Sequence, residues 1–290
     1  MIKLIYLLGA GRSGTTALAT ILGNNKAIHT IGEMHQFYDH LRGKKNCSCG
    51  ELLSNCDFWS QVIAELPTQI VLEPNKIQNI SDQLEYHSSL PKHLLGIHNL
   101  NDIKTYNFFQ SSILQPTLEI SNSSYLLDSA KYLGRYLALK KNADLEITGI
   151  YLVRDVRGVV NSFQKKVQSS RKPLSAIFYY LSVNIVAEFI YLRNKRSILK
   201  IRYEDLIHYP INTLDKIEKK LEVDLSEVKQ KIIDKNTFGI GHIIGGNRLK
   251  HNSSIVFTSD EKWKEHIPRH KQFLYYLLAF PIMLINRYKM

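Results

Sequence analysis

Eight consecutive residues near the N-terminus, Gly9-Ala10-Gly11-Arg12-Ser13-Gly14-Thr15-Thr16, are the first whose types and spacing could do chemistry. A glycine-rich turn lets successive backbone N–H groups point at one anion, and a helix starting there adds its N-terminal dipole. The spacing nearly matches the triphosphate loop G-x-x-x-x-G-K-[ST], but Thr15 stands where that loop carries its lysine. Without that lysine the β/γ-phosphate contact is lost, which disfavours triphosphate chemistry; the loop's cation is Arg12 instead. A second candidate anion site is Arg154-Asp155-Val156-Arg157-Gly158, with Ser162 eight residues beyond Arg154. An arginine at a strand end and a hydroxyl two helical turns along can face one phosphate, and the guanidinium fork suits its oxygens. The plain alternative for Arg154-Asp155 is an ion pair and cap at a strand-to-helix corner. Two separate anion sites imply a bisphosphorylated ligand.

The elements that must position these residues are legible in part. Ile2–Leu8 is a nearly continuous apolar run, the pattern of a strand buried on both faces of a parallel sheet. Leu18, Ile21 and Leu22 then fall at helical spacing until Gly23-Asn24-Asn25. Further short strands are expected at Tyr125–Leu127, Ile147–Val153 and Ile198–Ile201, the last followed by a Tyr203-Glu204-Asp205 turn. Val156, Val159, Val160, Phe163 and Val167 repeat at helical spacing, and Leu174, Ile177, Phe178, Leu181, Ile185 and Phe189 make a second long helix. Strands alternating with helices predict an α/β fold: a three-layer, P-loop NTPase-like domain with a central parallel sheet. Residues 1–290 read as one domain, in which 40–120 have weak periodicity and are expected to be an insertion shaping an acceptor site.

The chain has 290 residues and a formal net charge of +12, which suits an anionic partner. Its basic residues are scattered rather than blocked, so no nucleic-acid tail is expected. Met1–Leu8 is too short for a signal segment, and the expected location is the cytoplasm. The apolar stretch Phe273–Ile285, broken by Pro281, predicts a buried terminal helix and no membrane span, with peripheral membrane contact left open.

The loop G-x-x-R-S-G-T-T resembles the 5′-phosphosulfate loop of sulfotransferases that use 3′-phosphoadenosine 5′-phosphosulfate (PAPS), in their carbohydrate, bacterial and tyrosylprotein branches. The resemblance runs from residue 1 to about 35 and from about 125 to 265. It implies that Gly11, Arg12, Ser13, Gly14, Thr15 and Thr16 hold the 5′-phosphate and sulfuryl group. L-V-R-D-V-R-G-V-V-N-S is similar to the family's 3′-phosphate motif, which gives that role to Arg154 and Ser162. Arg202-Tyr203-Glu204-Asp205-Leu206 resembles a stretch whose tyrosine approaches adenine, pointing to Tyr203. His242-Ile-Ile-Gly-Gly-Asn247-Arg248-Leu-Lys250 resembles a late H-x-x-x-G-N-x-x-R segment that closes over the 3′-phosphate. Here Lys250 replaces the usual arginine, Arg248 offers a substitute, and the choice between them stays open.

The implied reaction is transfer of a sulfuryl group from PAPS, leaving PAP, to an acceptor hydroxyl of a carbohydrate or glycolipid. It needs a base, cations over the transferred oxygens and a donor to the leaving oxygen, and it demands no metal. Glu33, in Ile31-Gly32-Glu33-Met34-His35, follows Arg12 by 21 residues and is the expected base, with His35 its competitor. Tyrosylprotein sulfotransferases place their proposed glutamate in a similar context. Lys131, in Leu127-Asp128-Ser129-Ala130-Lys131, is the expected donor: it follows a strand and so sits at the C-terminal edge of a parallel sheet. The rival readings are a P-loop kinase or nucleotide hydrolase and a non-catalytic nucleotide- or glycan-binding protein. Cys47, Cys49 and Cys56 are all the cysteines. Their C-x-C-G and C-x-F-W context resembles bacterial sulfotransferases. A reduced cluster, or one disulfide with a spare thiol, is preferred to a zinc site, which would need a fourth ligand such as His35 or His40.

Overall fold

The computed structural model describes residues 1–165, 170–246, 254–258 and 260–290. Five parallel strands form the central sheet: β1 (Ile2–Leu8), β2 (Ile28–Gly32), β3 (Tyr125–Lys131), β4 (Leu145–Val153) and β5 (Ile198–Arg202), in the order β2-β3-β1-β4-β5. β1 is central and buried except at Lys3. Its alternating side chains feed two apolar layers: Leu4, Tyr6 and Leu8 face one, Ile5 and Leu7 the other. This is why the run reads as continuous rather than alternating, and it makes the fold the expected P-loop-like α/β sandwich.

Helices α1 (Thr15–Leu22), α2 (Phe37–Leu41), α3 (Trp59–Ala64), α4 (Thr68–Leu72), α5 (Pro74–Glu85), α6 (Leu90–Leu95) and α7 (Leu100–Ser121) precede β3. Six of these lie where the sequence showed only weak periodicity. The reason is visible in α7, whose buried stripe Ile103, Tyr106, Phe109, Gln110, Ile113, Leu114 and Thr117 contains two polar members. Gln110 accepts from the Arg135 guanidinium at 3.0 Å, and the Thr117 hydroxyl donates to the Ile113 carbonyl at 2.6 Å. Trp59, Val62, Ile77, Tyr106 and Ile113 belong to the same core layer as Tyr6 and Tyr136, so this region completes the domain's core.

After β3 come α8 (Leu133–Leu139), α9 (Val156–Gln164), α10 (Pro173–Arg193), α11 (Tyr203–His208), α12 (Pro210–Leu221) and α13 (Ser226–Ile233). Val167, expected on the α9 stripe, lies outside the described residues. Tyr203-Glu204-Asp205 is the first turn of α11 rather than a turn, its two carboxylates placed favourably against the helix dipole. In α10 the buried face is Ala176, Ile177, Tyr180, Val183, Asn184, Ala187, Glu188 and Ile190. The expected long helix is present, and of the apolar residues that predicted it Leu174, Phe178, Ile185 and Phe189 are exposed. Among the described residues α10 alone is long and apolar enough to cross a membrane, but its buried face packs on α9 and β4 as a core helix does.

A two-stranded ribbon, β6 (Thr237–Gly239) with β7 (Ser254–Val256), is followed by α14 (Trp263–His266), α15 (Arg269–Leu278) and α16 (Phe280–Ile285). The C-terminal stretch is therefore two helices, α16 opening with Pro281 in its first turn. Only part of it is buried: Tyr275, Tyr276, Ala279, Ile282 and Met283 pack inward, while Phe273, Leu274, Leu277, Leu284 and Ile285 are exposed.

Candidate active site

Every strand of the sheet delivers a residue at its C-terminal end to one cavity of about 690 Å³. Gly11, Arg12, Gly14, Thr15 and Thr16 follow β1; Glu33 follows β2; Lys131 ends β3; Arg154 follows β4; Tyr203 follows β5. Ligands bind at this edge in open α/β sheets because loops and helix N-termini converge there.

The glycine loop is shaped by contacts that exclude side chains. Gly9 has φ 131°, and a Cβ there would stand 2.3 Å from the Leu152 carbonyl oxygen. At Gly14, with φ 94°, a Cβ would lie 2.5 Å from the Tyr203 ring. Arg12 itself takes the left-handed conformation, φ 71°, and its guanidinium lies over the Phe163 ring at 5.6 Å. Gly14 caps α1, so the first-turn N–H groups of Thr15 and Thr16 have no acceptor within the helix and face the cavity edge. Ser13 is fully buried and does not line the cavity, so only its backbone can serve the loop.

Arg154 is 5% exposed; it donates to the Arg12 carbonyl at 3.1 Å and to the Asp260 carbonyl at 2.7 Å. Its guanidinium covers the Tyr203 ring at 4.2 Å and stands 3.5 Å from the Asp260 carboxylate. Burial pushes the Asp260 carboxyl up, but the charges of Arg154 and Lys165 outweigh it and hold it below its ordinary value. Ser162 lines the same cavity. The ion-pair-and-cap alternative belongs to the neighbour: Asp155 caps α9, pairs with Arg157 at 2.6 Å, and Arg157 stacks on Trp263 at 4.3 Å.

On the β2–β3 side of the glycine loop lies a carboxylate–ammonium pair. Lys131 donates to Glu33 Oε1, and to the Ser129 carbonyl at 2.8 Å. Gln36 donates to Glu33 Oε2 at 2.9 Å. Burial pushes the Glu33 carboxyl up, yet the Lys131 charge, the His35 ring and these hydrogen bonds hold it below its ordinary value, so it is ionised at neutral pH. Lys131 reaches the cavity through an irregularity: β3 pairs with β1 as Tyr6↔Asp128, then as Leu8↔Lys131. The extra residue and the left-handed Lys131 backbone, φ 68°, re-aim its side chain. Beneath it the buried Arg135 donates to Asp128 at 2.8 Å, to Glu85, and to Tyr106 at 3.2 Å. Burial pushes the Glu85 carboxyl up, and Arg135 only partly offsets this.

Gly32 and Glu33 are tied to a distant segment. The Glu33 N–H donates to the Ile244 carbonyl at 2.7 Å, and the Ile244 N–H to the Ile31 carbonyl at 3.1 Å. Gly32, with φ 82°, allows this approach, since a Cβ would stand 2.1 Å from the Ile244 oxygen.

His35 does not line the cavity. Its ring packs edge-on to Tyr132 at 4.5 Å, and burial, partly countered by Glu33, lowers its pKa to about 3. A histidine that charges at pH 6.5 unfolded but only near 3 folded stabilises the fold above pH 6.5 and loses that stability as pH falls toward 3. Between pH 7 and pH 5 this amounts to about 2 kcal/mol. Urea unfolding of His35→Phe at the two pH values is expected to show a loss smaller than wild type by that amount; parallel losses would contradict the buried neutral ring.

Several lining residues carried no recognised sequence signal. Arg171 lies over Tyr179 at 4.6 Å and Phe163 at 5.7 Å, and the Tyr179 hydroxyl accepts from the Gly11 N–H at 3.0 Å. Gln36, Ile255, Phe257 and Asp260 complete the wall. Asn247, Arg248 and Lys250 lie outside the described residues, and none of residues 40–120 lines the cavity. The three cysteines are free thiols, and the histidine beside them is His242 rather than His35 or His40.

This is an α/β protein with a glycine-rich loop and a cavity lined by Arg12, Lys131, Arg154 and Arg171 at the C-terminal edge of its sheet. The model of the sulfotransferase family matches residues 5–227, and the chain belongs to that family, whose members transfer sulfuryl groups. Among solved structures it is similar in fold to the sulfotransferase domain from the curacin biosynthetic pathway, with TM-score 0.54, 20% identity, and 100% and 99% of the two chains covered. The sulfotransferase domain of the Synechococcus PCC 7002 olefin synthase gives TM-score 0.52 and 17% identity, over 99% of this chain and 95% of that one. A Mycobacterium avium sulfotransferase gives TM-score 0.50 and 11% identity, over 100% and 78%. No curated protein matches the sequence.

Proposed function

We propose that this protein is a PAPS-dependent sulfotransferase of the cytoplasm that sulfates a carbohydrate or glycolipid hydroxyl. The observation that carries this reading is one cavity lined together by Arg12 and the glycine loop, by Arg154 and Ser162, and by the Glu33–Lys131 pair. The residues fit a bisphosphorylated nucleotide: Thr15, Thr16 and Arg12 would hold the 5′ end, Arg154 and Ser162 the 3′-phosphate, and the Tyr203 edge the adenine. When bound, PAPS supplies the sulfuryl group and a phosphate leaving group.

The chain's own residues supply the rest. Ionised Glu33, held by Gln36, accepts the acceptor hydroxyl's proton once Lys131 turns from it to an anion in the cavity. Lys131 then donates to the departing phosphate oxygen as its bond to sulfur breaks, while Arg12 neutralises charge on the transferred oxygens.

Arg154→Ala tests the 3′-phosphate assignment. Loss of a charge-assisted contact is expected to weaken PAP binding by about 2–3 kcal/mol, roughly 30- to 150-fold in Kd by calorimetry. An unchanged Kd would overturn the assignment.

A further inference from the structure

We propose that Cys47, Cys49, Cys56 and His242 form a structural zinc site, outside the cavity and independent of the sulfuryl-transfer reading. Their ligand atoms, three Sγ and one imidazole nitrogen, all lie within 4.8 Å of one another. His242 Nδ1 stands 3.1 Å from Cys56 Sγ and 4.0 Å from Cys47 Sγ. A tetrahedral zinc with Zn–S of about 2.3 Å and Zn–N of about 2.0 Å spaces its ligands by roughly 3.5–3.8 Å, so small side-chain adjustments close the set. Three thiolates and an imidazole are soft to borderline donors, which select zinc over magnesium or calcium. Binding displaces the thiol protons to solvent.

The surroundings are built to hold these donors. The C-x-C-G turn closes with the Gly50 N–H donating to the Cys47 carbonyl at 3.0 Å and the Cys47 N–H to the Glu51 carbonyl at 2.8 Å. Ser48 straddles the other segment: its hydroxyl donates to the Gly241 carbonyl at 2.6 Å and accepts from the Ile243 N–H at 2.9 Å. Its own N–H donates to the Ile243 carbonyl at 3.2 Å. Trp59 Nε1 donates to the His242 carbonyl at 3.0 Å, and the His242 ring stacks on Phe58, with 6.2 Å between centroids and planes 21° apart. Backbone and ring are thus fixed around His242 as the outer contacts of metal ligands usually are.

The site staples residues 241–246 to the region before α3, and two residues beyond His242 lies Ile244, which anchors Glu33 and Gly32. Metal binding therefore braces the strand end that carries the glutamate. This last consequence rests on the proposed base; the metal content does not.

The test uses the full chain, purified under reductant without added chelator. Elemental analysis is expected to find roughly one zinc per chain, and exchange for Co²⁺ is expected to give the intense visible bands of a tetrahedral thiolate complex. Cys49 is exposed, so Cys49→Ser is not expected to disturb packing; it should cut zinc retained after dialysis at least about tenfold and change the cobalt bands. Full-length protein holding less than about a tenth of an equivalent, with no cobalt bands and three freely titrating thiols, would overturn the site. A mass two hydrogens lighter, marking a disulfide in metal-free protein, would overturn it equally.

Discussion

Glu33→Gln is expected to lower kcat by about two to four orders of magnitude, the range for removing a positioned general base. The substitution keeps the shape but removes the charge, the basicity and one of the two oxygens that accept from Gln36 and Lys131. Affinity for PAP should change by less than about threefold, because Glu33 faces the transferred group rather than either phosphate. The pH dependence supplies a second check. Since Glu33 is held below its ordinary pKa, kcat/KM should stay level from neutrality down through the range above the ordinary carboxylate value. A fall of less than about fivefold in kcat would return the role to another group. His35 is a poor replacement: it does not line the cavity, and desolvation lowers its pKa to about 3.

The second large effect concerns stability. Arg135 is 1% exposed and serves Asp128, Glu85, Tyr106 and Gln110. Arg135→Met would leave two buried carboxylates without their cation, a change that typically costs about 3–5 kcal/mol. For a chain of this size that is a Tm loss on the order of 10 °C. Adding Glu85→Gln should recover part of it, because one orphaned charge is removed. A single-variant Tm within about 2 °C of wild type would show that the network is not what fixes the end of β3. Because Asp128 also accepts from the Ala130 N–H at 2.8 Å, the same variant should loosen the Lys131 backbone.

What the sequence revealed and what it hid divide along a physical line. The loop, Lys131 and Arg154 sit at ends of strands whose burial on both faces makes them visible as apolar runs, so their place at the sheet edge followed from chain order. Glu33 follows β2, a strand that showed no such run, and was reached only through its spacing from Arg12 and the resemblance. Tyr203 lines the cavity from a helix rather than a turn, because a helix as short as Tyr203–His208 has too few apolar positions to show a period. The helices between Phe37 and Ser121 were hidden because their buried faces carry polar residues such as Glu85 and Gln110, both of which accept from Arg135 of another segment. His242 as neighbour of the cysteines, Arg171 behind Tyr179, and Asp260 beside Arg154 are meetings of distant segments, which local spacing does not encode. The offset of α10 has the same origin: its buried face includes Asn184, which accepts from the Tyr151 hydroxyl at 3.0 Å, while large apolar side chains remain outside.

The most direct measurement of the central claim is a thermal-shift comparison of the purified protein alone, with excess PAP, and with ATP plus Mg²⁺. A ligand specific for the native state at about a hundred times its Kd adds roughly 2.7 kcal/mol, a rise in Tm of several degrees. The account predicts that rise with PAP and none with ATP plus Mg²⁺. A rise with ATP plus Mg²⁺ alone would contradict it and remove the basis for assigning Arg154 and Ser162 to a 3′-phosphate.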